Sequence, residues 1–184
     1  MNNNTCIQQV RLVDNMNPTI IACAADLFGI VVNGACQANP SLGTPSAIDN
    51  CGSVSYSNNA SLPMSGVGTK YIRWTIQDQS MNTGSTCIQR VQLIDNTAPI
   101  INGCPTSTQT FSSSCTLTAT SYSSVFGITV NDNCDGTSVN VLVNGLGSVT
   151  FPGGINTVTY SFIDSSGRIS TCSFPVNFTN FISS

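Results

Sequence analysis

The chain has no histidine and no glutamate, and charged side chains make up only 7% of its 184 residues. An ordinary soluble domain carries about 25% charged residues. Without histidine there is no histidine-based triad and no histidine-ligated metal, and without glutamate there is no glutamate general base. With five basic residues and a net charge of −3, the chain also lacks the clustered lysine and arginine that nucleic-acid binding needs. Catalysis and nucleic-acid binding are therefore both disfavoured.

Long hydrophobic runs and a recognisable leader are also missing. The longest apolar candidate, 20–32, is too short to span a bilayer and contains Asp26 and Gly29. The first four residues have no basic region and no apolar stretch behind them, so they do not resemble a signal peptide. We therefore expect either a mature product or a piece of a longer exported chain, without a membrane span in this segment.

Cysteine, by contrast, is abundant. The chain has nine cysteines, and serine, threonine and asparagine fill 66 of its 184 positions. This composition is typical of a disulfide-bonded extracellular protein. The alternatives are a reduced cytosolic protein with buried thiols, which the low charge disfavours, and a zinc site, which the lack of any CxxC pair disfavours. The odd cysteine count favours a piece of a longer chain, or a covalent partner.

An internal repeat organises the chain. The segments 5–20, TCIQQVRLVDNMNPTI, and 86–101, TCIQRVQLIDNTAPII, match at ten of sixteen positions, and a weaker copy begins at Thr171. The period is thus 81 residues and then 85. Met1 precedes Cys6 much as Met81 precedes Cys87, which indicates that Met1 is an internal residue of a repeat.

The repeat has the pattern of short strands. Ile72, Trp74 and Ile76 alternate with polar residues, which is typical of a half-buried strand and predicts that Trp74 lies in a core instead of stacking on a sugar. Asn-Gly, Asp-Gly and Gly-Gly pairs between such runs are turn formers. The fold class predicted is all-β: tandem immunoglobulin-like β-sandwiches. Pro18 and Pro99 mark the boundaries, which gives residues 1–16 as the terminal strand of a preceding repeat and two repeats over 17–96 and 97–184.

The second repeat resembles the hyalin repeat, or HYR domain, in its bacterial tandem form. The motifs that carry the resemblance are Ala98-Pro99, Cys104-Pro105, Asp132-Asn133-Cys134, Phe151-Pro152-Gly153, Val158-Thr159-Tyr160, Asp164-Ser165-Ser166-Gly167 and Thr171-Cys172-Ser173-Phe174. The first repeat follows the pattern more loosely, with Cys23-Ala24 for Cys-Pro and Leu62-Pro63 for Phe-Pro. The resemblance implies an extracellular, cell-surface, non-enzymatic module, found in adhesins such as those of Bacteroidetes gliding motility.

The resemblance also implies a disulfide pairing. Relatives with two cysteines keep the first and last of each repeat, which points to Cys23–Cys87 and Cys104–Cys172. The remaining pairs would then be Cys36–Cys51 and Cys115–Cys134, with Cys6 pairing outside this segment. A full strand between the two cysteines of such a remaining pair would, however, hold their Cα atoms too far apart for a bond.

The aspartates recur at equivalent positions of the repeats: Asp14 with Asp95, Asp49 with Asp132, and Asp78 with Asp164. In stacked sandwiches these loops would meet at the joint between repeats and could hold Ca²⁺, which takes 6–8 oxygen ligands. The candidate ligand sets are Asp95, Asp132, Asp135 and Asp164, and separately Asp14, Asp49 and Asp78. The alternative is that these aspartates only form turns, because Asp-Asn-Cys-Gly and Asp-Ser-Ser-Gly are good turn sequences and EF-hand spacing is absent.

Two functions remain open at the level of the sequence. The first is a structural and adhesive array, a segment of a long extracellular protein or filament whose partners are neighbouring repeats or copies of itself. The alternative is a discrete module that binds a glycan or a host protein through loops at one end of a sandwich. The second function would need a cluster of exposed loop aromatics, for which Phe28, Tyr56 and Phe126 are the candidates.

Overall fold

A computed structural model describes residues 5–112 and 116–179. Over these residues the chain is almost entirely β-structure, which confirms the predicted fold class. The exception is one helical turn, α1, at Ser121–Ser124. Four residues are too few to produce a 3.6-residue periodicity in the sequence, so this turn was not predicted.

The first repeat contains a four-stranded sheet and two short strand pairs. The four-stranded sheet has the order β2-β8-β7-β5, and the pairs are β1-β4 and β3-β6. The strands are β1 Thr19–Ala22, β2 Leu27–Val31, β3 Gln37–Ala38, β4 Ser46–Ile48, β5 Val54–Asn58, β6 Met64–Ser65, β7 Gly68–Asp78 and β8 Thr83–Ile94.

The second repeat has the same plan. Its four-stranded sheet has the order β10-β16-β15-β13, with β10 parallel to β16, and its two pairs are β11-β14 and β12-β9. The strands are β9 Ile100–Asn102, β10 Gln109–Phe111, β11 Thr116–Thr118, β12 Thr129–Asn131, β13 Asn140–Val143, β14 Ser148–Thr150, β15 Gly154–Ile163 and β16 Ile169–Phe178.

Contacts between Cα atoms divide the chain into two compact units. The first consists of 1–30, 39–64 and 69–92, and the second of 31–38, 65–68 and 93–184. The division after residue 92 lies close to the boundary expected at 96. The new feature is that 31–38, which the sequence assigns to the first repeat, groups with the second unit.

The core of the second unit fills the space between its four-stranded sheet and its short pairs. Phe162 and Phe174 from the large sheet share one buried cluster with Leu117 of β11, Val130 of β12 and Ile128, which directly precedes β12. Burial of Tyr160 in this cluster raises the pKa of its hydroxyl to about 12. Two layers around one apolar core make this unit an immunoglobulin-like sandwich.

The core of the first unit confirms the position predicted for Trp74, which is only 4% exposed. Its Nε1 donates to Oε1 of the fully buried Gln89 at 3.1 Å. The Gln89 Nε2 in turn donates to the carbonyl oxygens of Ala25 and Leu42, so this buried amide is satisfied. Gly84 is required for close packing, because a Cβ there would collide with the Pro18 carbonyl oxygen and with Ile76.

Residues 5–16 contain no strand, although the sequence predicts the terminal strand of a preceding repeat there. Their apolar side chains are exposed: Val10 is 72% and Leu12 91% accessible. The equivalent Val91 and Leu93 are 0% and 1% accessible, because β8 pairs with neighbouring strands over a core. A strand needs such partners, and the described residues offer none to 5–16.

Candidate metal centre

Three aspartates of the second unit each fix a turn with one carboxylate oxygen. Asp95 Oδ1 accepts a hydrogen bond from the backbone N–H of Thr97 at 2.9 Å. Asp132 Oδ1 accepts from the N–H of Cys134 at 2.9 Å and of Asp135 at 3.0 Å. Asp164 Oδ1 accepts from the N–H of Arg168 at 2.7 Å. The sequence prediction that these residues form turns is therefore confirmed.

The first unit repeats the same three turns. Asp14 Oδ1 accepts from the N–H of Met16 at 3.1 Å, and Asp49 Oδ2 accepts from that of Cys51 at 3.0 Å. Asp78 Oδ1 accepts from the N–H of Asn82 at 2.8 Å. The turn sequences recur in the repeat, and they build the same local geometry each time.

The turns leave the second carboxylate oxygen of five of these aspartates unused; the exception is Asp78, whose Oδ2 accepts from Asn82 Nδ2 at 2.8 Å. In the second unit Asp95, Asp132 and Asp164 are only 3%, 3% and 5% exposed. The Oδ2 of each is buried and accepts no hydrogen bond from the described residues. A buried oxygen without a partner costs free energy, and a buried charge without one costs more. Turn formation accounts for one oxygen of each carboxylate and leaves the other unexplained.

The three carboxylates of each unit lie close together. Asp95, Asp132 and Asp164 each place a carboxylate oxygen within 4.8 Å of the other two, and so do Asp14, Asp49 and Asp78. Oxygens bound to one Ca²⁺ at about 2.3–2.6 Å lie at most about 5 Å apart. Both groups therefore have the spacing that a single hard cation requires.

No basic side chain neutralises either group among the described residues. The ion pair found there joins Arg90 to Asp26, with Nη2 and Oδ2 at 2.7 Å. The Arg90 backbone N–H and guanidinium together hold the pKa of Asp26 below its usual value. Three carboxylates held close together without such a partner repel one another, so a bound cation would relieve a cost that the fold otherwise carries.

One predicted ligand does not belong to the cluster. Asp135 was expected beside Asp95, Asp132 and Asp164, but both of its oxygens are committed to Ser165. Oδ1 accepts from Ser165 Oγ at 2.9 Å, and Oδ2 accepts from the Ser165 N–H. The prediction for Asp135 is wrong because nearness along the chain to Asp132 does not set the direction of a side chain in a tight turn.

The sequence reasoning missed Asn133. Its Oδ1 is buried and unpartnered among the described residues, while its Nδ2 lies 3.4 Å from Asp95 Oδ1 and donates to the Asn33 carbonyl at 3.2 Å. The signal was present, since asparagine follows the aspartate in both repeats, as Asn50 and Asn133. Amide oxygens are regular Ca²⁺ ligands.

Disulfides close both units. The structure contains the expected Cys23–Cys87 and Cys104–Cys172 bonds. The expected Cys36–Cys51 bond is wrong, because Cys36 is bonded to Cys134 over a sequence separation of 98.

The same bond rules out the expected Cys115–Cys134 pair, although Cys115 itself lies outside the described residues. The reason is that 31–38 packs in the second unit, whereas the prediction let each repeat pair its own cysteines. Cys6 and Cys51 are exposed and unbonded.

The aromatic candidates for a binding surface do not cluster. Phe126 is packed in the second core, 4.7 Å from Phe174 between ring centroids. In the first unit Tyr56 is 38% and Phe28 61% exposed, and the Arg90 guanidinium covers the Phe28 ring at 5.6 Å. Among the described residues, then, the loop aromatics named by the sequence form no joint surface.

A comparison with protein-family models finds a match over the second repeat. Residues 94–178 match the family model of the HYR domain. The resemblance of the second repeat to the HYR domain is thereby confirmed over these residues. No curated protein matches the chain. The described residues contain no helix that is both long and apolar enough to cross a membrane.

Solved structures show weak similarity over most of the chain. Drosophila N-cadherin EC1-4 aligns at 10% identity and a TM-score of 0.45, over 90% of this chain and 50% of its own. Human protocadherin-24 EC1-2 aligns at 10% identity and a TM-score of 0.41, over 91% of this chain and 100% of its own. The fibronectin(III)-like modules of Clostridium thermocellum CbhA align at 14% identity and a TM-score of 0.34, over 88% of this chain and 94% of their own. The chain spans about half the length of the N-cadherin structure, and similarities this low carry no argument about function.

Proposed function

We propose that the chain is a non-enzymatic structural and adhesive segment of a long extracellular surface protein or filament built from HYR-like repeats. The observation that carries the proposal is the repetition itself. Each sandwich is closed by a disulfide from its first to its last part, and each carries the same three aspartate turns. Repeats of one module placed in tandem build an extended, quasi-one-dimensional array.

Three further features support this function. The disulfides indicate an oxidising compartment outside the cytosol. The HYR match over 94–178 lies in a family of extracellular modules that the motifs already indicated. The lack of histidine and glutamate leaves little material for catalysis. The finer assignment, to a bacterial surface adhesin such as those of gliding motility, is part of the same proposal.

Electron microscopy of the natural full-length protein tests the array. In negative stain we expect a long beaded filament whose beads have the size of one sandwich. A compact particle that binds defined sugars on a glycan array would contradict the array and support the alternative, a discrete binding module. A particle of either shape that turns over a substrate would contradict the non-enzymatic assignment.

We further propose that the two aspartate clusters bind Ca²⁺. In the second unit the unpartnered oxygens of Asp95, Asp132, Asp164 and Asn133 supply four oxygens. Backbone carbonyls and water would complete the 6–8 that Ca²⁺ takes. The ion would tie together the three turns and neutralise their charge. The cluster of Asp14, Asp49 and Asp78 is the equivalent site, with more solvent access.

Substituting Asp132 by asparagine separates the role of this residue as an ion ligand from its role in the turn. Asparagine keeps the oxygen that accepts from the Cys134 and Asp135 N–H groups but removes one negative charge. In EDTA we expect Asp132→Asn to unfold at or above the wild-type midpoint, because repulsion falls. In Ca²⁺ at about 100 times its dissociation constant, the second unit of the wild type should gain about 2.7 kcal/mol and the variant much less.

Asp135→Asn is the matched control, because Asp135 lies in the same loop and binds Ser165. It should keep the wild-type response to Ca²⁺ in thermal unfolding and the wild-type binding isotherm in calorimetry. Unfolding that is the same in Ca²⁺ and in EDTA would end the proposal. Equal affinity for Mg²⁺, measured by the same titration, would contradict the choice of Ca²⁺.

A further inference from the structure

The first unit has a cavity beside the exposed thiol of Cys51. The cavity has a volume of about 430 Å³ and is lined by 12–16, Asn50, Cys51, Gln79 and Ser80. Asp14, one of its lining residues, belongs to the first aspartate cluster. Cys51 is bonded to no cysteine of the described residues.

The equivalent place in the second unit is covered. Cys134 corresponds to Cys51, since the backbone N–H of each donates to the aspartate two residues earlier, at 2.9 and 3.0 Å. The segment Val31–Ala38, which we call the cysteine loop, is bonded there through Cys36–Cys134. The carbonyl oxygen of Asn33, in the loop, accepts from Asn133 Nδ2 at 3.2 Å.

The cysteine loop is ordered by its own hydrogen bonds. Asn33 Oδ1 accepts from the N–H groups of Ala35 and Gln37 at 2.9 and 3.0 Å. The N–H of Asn33 donates to the Gln37 carbonyl at 2.8 Å, and that of Cys36 to the Asn33 carbonyl at 2.9 Å. A loop with this internal order can present its thiol in one position, and this lowers the entropy cost of docking.

Solvent access differs between the two places as the presence of the loop predicts. Asp95 and Asp132, in the unit that contains the loop, are each 3% exposed. Their counterparts Asp14 and Asp49 are only partly buried. The first unit therefore has the receiving surface of the second without the segment that covers it.

The apolar side chains of residues 5–16 form a second surface that lacks a covering segment. Val10 and Leu12 are 72% and 91% exposed, whereas Val91 and Leu93, at the equivalent positions of β8, are buried. Exposed apolar side chains in a row mark a missing partner. Residues 5–16 have the sequence of the last strand of a repeat, and the partner that would bury this strand is the rest of that repeat.

We propose that Cys51 forms a disulfide with the cysteine loop of a further HYR-like repeat that precedes Asn17 in the same polypeptide. Cys36 precedes Cys134 by 98 positions, and the same spacing counted back from Cys51 falls before residue 1. The occupant is thus an upstream repeat. By the same rule Cys6, the counterpart of Cys87, bonds within that upstream repeat.

The bond forms by oxidation of two thiols. The Cys51 thiolate attacks the disulfide of an oxidised thiol–disulfide oxidoreductase and forms a mixed disulfide. The loop thiolate then attacks the Cys51 sulfur and displaces the second enzyme thiolate. The two cysteines lose two protons and two electrons, and the oxidoreductase leaves as its dithiol. Successive repeats would thereby be covalently linked through their loops, in addition to the peptide chain.

A disulfide map of the natural full-length protein tests this pairing. Cleavage before each aspartate isolates Cys51 on 49–77, Cys36 on 26–48 and Cys134 on 132–134. Under non-reducing conditions we expect 26–48 linked to 132–134, and 49–77 linked to a peptide from upstream of residue 1. A free thiol on 49–77, or its linkage to 26–48 or 1–13, would overturn the proposal. Linkage to 95–131 would mean that a second copy of the chain bonds to Cys51, and it would contradict a bond to an upstream repeat of the same chain.

A chain extended by one repeat provides the matched variant. Residues 17–96 placed before 16–184 keep the Asp-Asn-x-x-Pro link and supply an upstream cysteine loop. Ser41→Thr in the upstream copy and Ser61→Thr in the downstream copy serve as mass tags. We expect the downstream 49–77 fragment to be linked to the tagged upstream 26–48 fragment. Cys36→Ala in the upstream copy should leave Cys51 reactive toward a thiol reagent, and complete linkage of Cys51 in that variant would count against the proposal.

This inference rests on the proposed array, and the two fail differently. A free Cys51 thiol in a protein that forms beaded filaments would contradict the proposed disulfide and would still support the array. A compact particle in electron microscopy would contradict the proposed array itself.

Discussion

Removing the Cys104–Cys172 disulfide is expected to lower the free energy of unfolding of the second unit by about 4 kcal/mol. The bond closes a loop with a sequence separation of 68, and a cross-link over such a span removes much of the conformational entropy of the unfolded chain. A single domain is commonly stable by only about 5–15 kcal/mol. The double variant Cys104→Ala, Cys172→Ala should therefore be close to unfolding at ambient temperature.

The two units can be followed separately in one urea titration. Trp74 is the one tryptophan of the chain and lies in the core of the first unit. Its emission should keep the wild-type midpoint, while far-ultraviolet circular dichroism shows a second transition moved to lower urea by about 1–3 M. The matched variant Cys23→Ala, Cys87→Ala, over a separation of 64, should move the Trp74 transition instead. An unchanged dichroism transition in the first variant would show that the bond adds nothing to stability.

Truncating Phe174 should cost about as much as the disulfide. Phe174 is 2% exposed on β16, and its ring lies 4.7 Å from that of Phe126 and 6.4 Å from that of Tyr160 between centroids. Phe174→Ala removes this burial and leaves a cavity among rigid aromatic rings, which costs about 3–5 kcal/mol. The loss should exceed the area effect alone, because edge-to-face pairs add to it.

Ile155→Ala on β15 is the control for Phe174→Ala. Ile155 is 73% exposed in the same sheet, so the cost should stay below about 1 kcal/mol. Phe174→Leu should fall between the two, because it refills part of the cavity. The measurement is the dichroism midpoint in urea with Trp74 emission as the internal reference. Equal midpoints for Phe174→Ala and Ile155→Ala would contradict the assigned core.

The pattern of alternating residues was enough to find the cores. The alternation predicts that Trp74 and Ile76 lie on one buried face of a strand, and both are buried. Tyr160 and Phe162, two positions apart on β15, and Phe174 on β16 likewise lie in the second core. Such predictions succeed because side-chain direction in a strand is fixed by a period of two.

The candidate site was predictable in composition but not in detail. Six aspartates at repeat-equivalent positions indicated two clusters, and the structure assembles both. The sequence could not place Asp135, because the direction of a side chain in a loop depends on backbone angles that no period sets. Nor could it identify Asn133, whose importance comes from being buried without a partner for its oxygen.

By itself, the sequence determined the all-β repeat and the recurring acidic turns, because these depend on local pattern and on order along the chain. The first-to-last disulfide of each unit was implied by the resemblance to the HYR domain. Only the tertiary structure decided that Cys36 bonds to Cys134, that 31–38 groups with the second unit, and that Cys51 stays open beside a cavity. The physical reason is that a disulfide requires two Cα atoms to lie within about 7 Å. Where a loop packs against residues 98 positions away, no local pattern records that distance.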